Sequence, residues 1–271
     1  MGHVQTAGAR VAYQKQGQGP AVLLIQGVGL IGNGWLPQVQ GLADRFTLIT
    51  FDNRGIGGSK ITSGELTIET MATDALAIMD QEQIESFHVV GHSMGGVIAQ
   101  QVALSAPDRI RSLSLLCTFA RGKQATRLTL PILWLGLRSR IGSRAARRNA
   151  FLEIIMPSNY LRTSDKGQLA EELAQLFGHD LADQPPIVMK QLRALSRYDR
   201  RTDLAGLKSI PTLVLSATED KIALPEHGRE LAACIPGARF VEISDAGHGV
   251  PIQLASEVNA LLADHCLRVK I

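Results

Sequence analysis

Val89-Val90-Gly91-His92-Ser93-Met94-Gly95-Gly96 is an apolar run that ends in Gly-x-Ser-x-Gly and passes at once into a helix-like stretch, Gly96-Val97-Ile98-Ala99. This is the pattern of a nucleophile elbow, a sharp strand-to-helix turn that lifts a serine hydroxyl off the end of a sheet. A residue at the tip of such a turn sits in a strained backbone conformation. Side chains two positions before and after it would collide with the crossing strand and helix, and Gly91 and Gly95 have none. A serine between glycines is often only a turn. The apolar run over residues 87–90 and the helix pattern behind Ser93 set this one apart.

A serine hydroxyl is a poor nucleophile alone. It needs a base within hydrogen-bond reach, and the base needs a third group to orient it. Residues 211–217 (Pro-Thr-Leu-Val-Leu-Ser-Ala) form a β-like run that stops in Thr218-Glu219-Asp220-Lys221. Arg239-Phe240-Val241-Glu242-Ile243 reads as the next strand and runs into Ser244-Asp245-Ala246-Gly247-His248-Gly249. Each candidate lies just beyond the C-terminal end of a predicted strand, where open α/β sheets place their sites.

With these pieces in this order, the chain resembles the α/β-hydrolase family over nearly its whole length. The matching segments are Gly91-His92-Ser93-Met94-Gly95, Phe51-Asp52-Asn53-Arg54-Gly55 with Gly58-Ser59, Thr218-Glu219-Asp220 and Gly247-His248-Gly249. The resemblance implies an α/β fold with a mostly parallel central sheet flanked by helices and an inserted helical lid. It also implies Ser93 as nucleophile, His248 as general base and acid, and Asp220 as orienting carboxylate, with the adjacent Glu219 as the competing acid. Some relatives carry the acid after the strand that follows the elbow helix. Here that strand, residues 112–117, runs into Thr118-Phe119-Ala120-Arg121, which has no carboxylate. His92 lies inside the elbow and is expected to point away from the serine and pack. His88 alternates with apolar neighbours, and His3, His179, His227 and His265 have no matching context, so solvated or structural roles are expected for them.

Acyl transfer also needs donors for the oxygen that becomes negative. By the resemblance these are the backbone N–H groups of Met94 and of Val28, in the loop Gln26-Gly27-Val28-Gly29 after the apolar run Ala21-Val22-Leu23-Leu24-Ile25. Most relatives open this loop with His-Gly where this chain has Gln26-Gly27. Gln26 either adds a side-chain contact or buttresses the loop. The same loop holds a decoy. Gly27-Val28-Gly29-Leu30-Ile31-Gly32 matches the dinucleotide fingerprint Gly-x-Gly-x-x-Gly, and Asp52 ends the next strand, residues 46–51, about where a ribose-binding acid would stand. Against an oxidoreductase, Gly32-Asn33-Gly34 and Pro37 delay the helix that the fingerprint requires. The reading also leaves Ser93, Asp220 and His248 unused. Arg54 either touches a ligand or anchors the loop beside Asp52.

The chain of 271 residues has room for one large α/β domain with an insertion, or two small domains. Its net charge of +3 is too small to imply a nucleic-acid partner. The N-terminus lacks a basic region followed by an apolar stretch, and no apolar run approaches membrane-span length, so no leader and no stable membrane insertion are expected. Cys117, Cys234 and Cys266 are scattered and odd in number. They read as free thiols in a reducing, cytoplasmic compartment. No His/Cys cluster has zinc spacing and no Gly-Lys-Ser loop cradles phosphate, so neither metal nor cofactor is expected.

Outside the elbow, Val4-Gln5-Thr6, a turn at Ala7-Gly8 and residues 9–15 read as a hairpin. Residues 36–43 and 67–79 read as helices, with Thr67 and Thr70 as caps and Glu69 in the first turn. Residues 251–267 read as one closing helix with Leu254, Val258, Leu261 and Leu262 on one face. From 121 to 209 the strand signals stop, which divides the chain into a core of residues 1–120 and 210–271 and a helical lid of 121–209. The lid opens with Arg121, Lys123, Arg127, Arg138, Arg140, Arg144, Arg147 and Arg148, with no acid among them, around the apolar stretch of residues 128–137. This reads as a lid helix with a solvated basic rim and a pocket-lining apolar face, since Pro131 breaks a long amphipathic helix. A membrane-surface contact or an acidic substrate is the alternative.

The expected activity is cleavage of a carboxylic ester of a small or medium apolar acid. Lactonase, thioesterase, C–C hydrolase and perhydrolase chemistry use the same triad. A non-catalytic ligand-binding relative is the reading from another class. The expected partner is a small-molecule ester, and the oligomeric state stays open.

Overall fold

Uninterrupted apolar runs make strands that can be buried on both faces of a parallel sheet. Here β3 (Ala21–Ile25) is such a run, and β6 (Phe87–His92) and β8 (Thr212–Ala217) are likewise buried at every residue although they carry His88, His92, Thr212 and Ser216. The computed structural model describes residues 1–126 and 130–269. Among these, nine strands form one sheet. The others are β1 (Gly2–Thr6), β2 (Ala9–Gly17), β4 (Thr47–Phe51), β5 (Lys60–Ile61), β7 (Ile110–Leu116) and β9 (Arg239–Ile243). The order is β1-β2-β4-β3-β6-β7-β8-β9, with β5 paired to β2. Pairing is parallel from β4 through β9 and antiparallel where β2 meets β1, β4 and β5. The expected hairpin is β1–β2, turning at Gly8, whose φ of +86° is open to glycine at little cost.

The core helices are α1 (Leu36–Leu42), α2 (Ile68–Gln81) and α3 (Met94–Ser105). Thr67 caps α2 as predicted: its hydroxyl accepts from the Thr70 N–H, and the Thr70 hydroxyl accepts in return from the Thr67 N–H. Between β7 and β8 the chain runs through α4 (Lys123–Thr126), α5 (Leu130–Arg138), α6 (Arg144–Ile155), α7 (Ser158–Thr163), α8 (Lys166–Phe177) and α9 (Val188–Arg197). These helices have an apolar centre of their own around Leu152, Leu169, Leu173 and Phe177. After β8 come α10 (Pro225–Cys234), α11 (Val250–Gln253) and α12 (Ala255–Leu267).

The single closing helix expected over 251–267 is instead two. Leu254 leaves the helical region (φ −123°, ψ 47°). The side chain of Gln253 ties α11 to the preceding loop, accepting from the Gly247 N–H and donating to the Asp245 carbonyl. α12 then takes a separate course against α1, with Asn259 donating to the Pro37 carbonyl at 3.1 Å.

The basic stretch also departs from expectation. Arg127, Leu128 and Thr129 lie outside the described residues. α5 begins at Leu130 with Pro131 in its first turn, where a missing N–H costs nothing. Its described apolar face turns outward. Leu130, Leu133, Trp134 and Leu137 are exposed, as is Ile141 just beyond. The cations are not simply a solvated rim. Arg144 reaches Asp180 and Asp183, Arg148 pairs with Asp180, Arg138 with Glu153, and Arg121 with Glu230. Acids distant in the sequence thus meet a run that carries none.

Candidate active site

Ser93 sits between β6 and α3 at φ 56°, ψ −122°, a conformation that costs a non-glycine residue on the order of 1–3 kcal/mol. The turn is over-determined. The Ser93 N–H donates to the Leu116 carbonyl at 3.0 Å, and the Ser93 carbonyl accepts from the Thr118 hydroxyl at 2.6 Å. A Cβ on Gly91 would lie 2.2 Å from the Gly95 oxygen, and one on Gly95 would lie 2.0 Å from the Ile25 oxygen. The first collision is with the emerging helix and the second with the neighbouring strand, so both glycines are required by close approach.

Asp220 follows β8 and His248 follows β9. Their side chains meet: His248 Nδ1 lies 2.7 Å from Asp220 Oδ2, with both residues buried. A carboxylate only accepts, so Nδ1 carries the hydrogen and Nε2 is left as the basic nitrogen. The other carboxylate oxygen accepts from the N–H groups of Ile222 and Ala223, at 2.8 and 2.9 Å. Asp220, rather than Glu219, is therefore the acid at the histidine. From the other side, the Gly249 N–H donates to the Ile155 carbonyl at the end of α6, and Lys221 Nζ donates to the Glu153 carbonyl.

His92 packs as expected, and it packs against the base. Its ring lies 4.8 Å from that of His248, and its Nε2 donates to the His248 carbonyl at 2.8 Å. It also meets Trp35 edge-on. Burial, reinforced by the neighbouring His248, depresses its pKa to about 3, so the ring is a neutral strut. Cys117, at the end of β7 with φ +46°, completes this buried group. Burial and the charge of Asp220 push its thiol well up. His92, Cys117 and His248 present ligand atoms within 4.8 Å of one another, the one such cluster among the described residues. One nitrogen of each histidine is already committed to a hydrogen bond within the site.

The loop after β3 passes over the serine. A Cβ on Gly27 would lie 3.1 Å from Ser93 Cβ and 3.5 Å from its Oγ. Val28 lines the cavity next to it, while Met94 opens α3 with its side chain in the core. Met94 is thus the first residue of a helix whose N-terminus carries partial positive charge, and Val28 follows Gly27 in the loop over the serine. Gln26 buttresses: it is buried, and its Oε1 accepts from the Gly27 N–H at 3.2 Å. Asp52 is consumed by the loops, accepting from Gly32 and Gly58 N–H groups at 2.7 and 2.8 Å. A short 3-10 turn, Gly32–Trp35, stands where the dinucleotide fingerprint needs a helix. Arg54 anchors its loop, but to Asp74 of α2, through two hydrogen bonds of 2.6 Å in a fully buried pair.

Ser93 and His248 open on a cavity of about 230 Å³. Its walls are mainly apolar, with Phe119 from the core, Phe151 and Ile154 from α6, Phe177 from α8 and Leu192 from α9. His179, with no context in the sequence, also lines it. A second residue that the sequence does not single out is Gln191 of α9. It is fully buried, and its Oε1 accepts from the Gly29 N–H at 2.8 Å across 162 residues of chain. A glutamine on an amphipathic helix carries no signal for such a partner.

Residues 20–253 match the family described as the alpha/beta hydrolase fold. The chain is 30% identical over 262 residues to the Azorhizobium caulinodans protein named "Putative carbamate hydrolase RutD", covering 95% of each. Among solved structures, it is similar to the enol-lactonase from Burkholderia xenovorans LB400 (29% identity, TM-score 0.80, 97% of this chain and 99% of that one). It is also similar to a thermophilic esterase from Thermogutta terrifontis (26% identity, TM-score 0.80, the whole of both chains).

Proposed function

The chain belongs to the α/β-hydrolase family, and on that premise we propose that it is a serine hydrolase cleaving carboxylic esters of small or medium apolar acyl groups. The observation that carries this reading is His248, paired with the buried Asp220, lining one apolar cavity together with Ser93. Ser93 Oγ attacks the ester carbonyl while His248 Nε2 takes its proton. The Val28 and Met94 N–H groups hold the oxyanion. As the tetrahedral intermediate collapses, the C–O bond to the alcohol breaks and His248 returns the proton to the departing oxygen. Water, deprotonated by His248, then attacks the acyl-enzyme and releases the acid and Ser93. Asp220 keeps the imidazole in the tautomer that leaves Nε2 basic. The helices between β7 and β8 act as the lid, since α6, α8 and α9 supply much of the cavity wall.

The apolar walls support an uncharged acyl group, and the cavity's modest size supports a short one. A lactone is an internal ester and needs no new group, so the enol-lactonase likeness fits the same machinery. A carbamate, as in the name of the Azorhizobium relative, differs only in bearing nitrogen on the carbonyl. A panel of p-nitrophenyl esters graded by acyl length, run beside lactones and aryl carbamates, ranks the three. Fluorophosphonate labelling should fall on Ser93. Ser93→Ala should lose on the order of 10⁶ in turnover, as when a triad acts as a unit. Retained turnover in that variant would overturn the proposal.

A further inference from the structure

Nine large apolar side chains are exposed among the described residues, and five of them crowd into residues 130–141: Leu130, Leu133, Trp134, Leu137 and Ile141. The first four recur at the i, i+3, i+4, i+7 spacing of a helix face. Ile132 and Leu135 hold the opposite face of α5 against the protein, so the outer face is a formed surface. Arg138 lays its guanidinium over the Trp134 ring, 4.6 Å from its centroid. An exposed apolar stripe edged by tryptophan and arginine is the composition of a helix lying at a lipid–water boundary.

Charge selects the kind of boundary. Residues 121–209 hold sixteen Lys or Arg against eight Asp or Glu, whereas the rest of the chain holds twelve against seventeen. Only three of those eight acids, Glu153, Asp180 and Asp183, enter the ion pairs described above, and the helical segment keeps a surplus of eight cations. Arg140, exposed at the end of the stripe, bonds the neutral Gln184 amide at 3.1 Å. A second copy of this chain laid face to face on α5 would bring two cationic segments together, which is unfavourable. An anionic sheet of headgroups is the complementary partner.

We propose that the outer face of α5 docks reversibly on anionic lipid surfaces, with Leu133, Trp134 and Leu137 entering the headgroup boundary and Arg140 facing the lipid charge. The docking is peripheral, since no described helix is long and apolar enough to cross a membrane.

The chain carries its own probe. Its two tryptophans are Trp35, fully buried, and Trp134, exposed, so lipid contact alters the emission of Trp134 alone. The full chain is titrated with phosphatidylglycerol vesicles and, in parallel, with phosphatidylcholine vesicles. The expected result is a blue shift and pelleting with phosphatidylglycerol only, reversed by salt. Leu133→Glu with Leu137→Glu should abolish both while leaving hydrolysis of a water-soluble ester unchanged. Arg140→Gln should weaken binding about fivefold, the equivalent of about 1 kcal/mol per surface cation. No shift with phosphatidylglycerol, or equal salt-insensitive pelleting with both lipids, overturns the proposal. So does a blue shift that grows with protein concentration in the absence of vesicles, which assigns the face to a second copy.

Discussion

Replacing Gln191 with leucine removes the acceptor that holds the Gly29 N–H, next to the amide proposed as an oxyanion donor. Gly29 is buried, so its N–H cannot turn to water, and an orphaned buried donor costs roughly 1–3 kcal/mol. Part of that returns, because Gln191 Nε2 is itself buried without a partner and leaves with the substitution. A net loss of about 1 kcal/mol in stability is expected. Catalysis should suffer more. Full removal of an oxyanion donor costs roughly 100- to 1000-fold. Here the Val28 N–H remains but loses its fixed aim, so kcat should fall about tenfold or somewhat more while KM stays within about twofold. Gln191→Glu keeps an oxygen for Gly29, so its kcat should lie nearer the parent than that of the leucine variant, while its buried carboxyl lowers the melting temperature. The assay is steady-state hydrolysis of one soluble ester, with thermal unfolding of each variant alongside. A leucine variant that melts lower yet keeps the parent kcat would falsify the coupling of α9 to the loop.

Four further outcomes are expected. Gly95→Ala should fail to accumulate as folded protein on expression, because its Cβ would lie 2.0 Å from a backbone oxygen in the centre of the sheet; recovery with normal melting would contradict that geometry. Asp74→Asn should cost about 3–5 kcal/mol in urea unfolding, since it leaves the Arg54 guanidinium buried without its counter-charge. Burial holds His88 at about 4 and His92 at about 3 in the fold, against 6.5 unfolded. The unfolded chain thus binds more protons below pH ~6.5, and stability falls as pH drops. Each histidine removes about 2 kcal/mol by pH ~5, so the urea midpoint should decline steadily between pH ~7 and ~5, and a flat profile contradicts the assignment. Arg148→Ala should shift the melting temperature only slightly, because Asp180 keeps its bonds from the Arg144 guanidinium and the Ala182 N–H; a drop beyond about 3 °C would show the pair to be structural.

The parts of the site legible in the sequence are those with a local steric cause. Gly91 and Gly95 have to lack side chains because the elbow brings backbone within 2.2 Å of where those side chains would be, so the pentapeptide announces itself. Asp220 and His248 are legible because each follows an apolar strand run, and parallel strands deliver their C-terminal ends to one edge of the sheet. Long-range partners left no such trace. Nothing near Arg54 points to Asp74, and nothing near Arg148 points to Asp180, because an ion pair constrains positions in space rather than spacing in the chain. The orientation of α5 departs from the sequence pattern for a related reason. Helical periodicity shows that one face is apolar, but whether that face meets the core or the solvent depends on helices packed from elsewhere. The break at Leu254 was hidden because the side-chain bonds of Gln253 run back into the histidine loop and not along the helix.

Those same distant contacts constrain how the proposed lid can open. α6 holds the histidine loop through the Ile155 carbonyl and the acid loop through the Glu153 carbonyl, while α9 holds the serine-side loop through Gln191. A rigid swing of the whole helical segment would break all three bonds at once and release both the base and the oxyanion loop. Substrate entry by that route would dismantle the site it serves. α6 and α9 are therefore better described as fixed walls. The described residues of α5 supply none of the cavity lining and its apolar face already turns outward, so docking there leaves Ser93, Asp220 and His248 undisturbed.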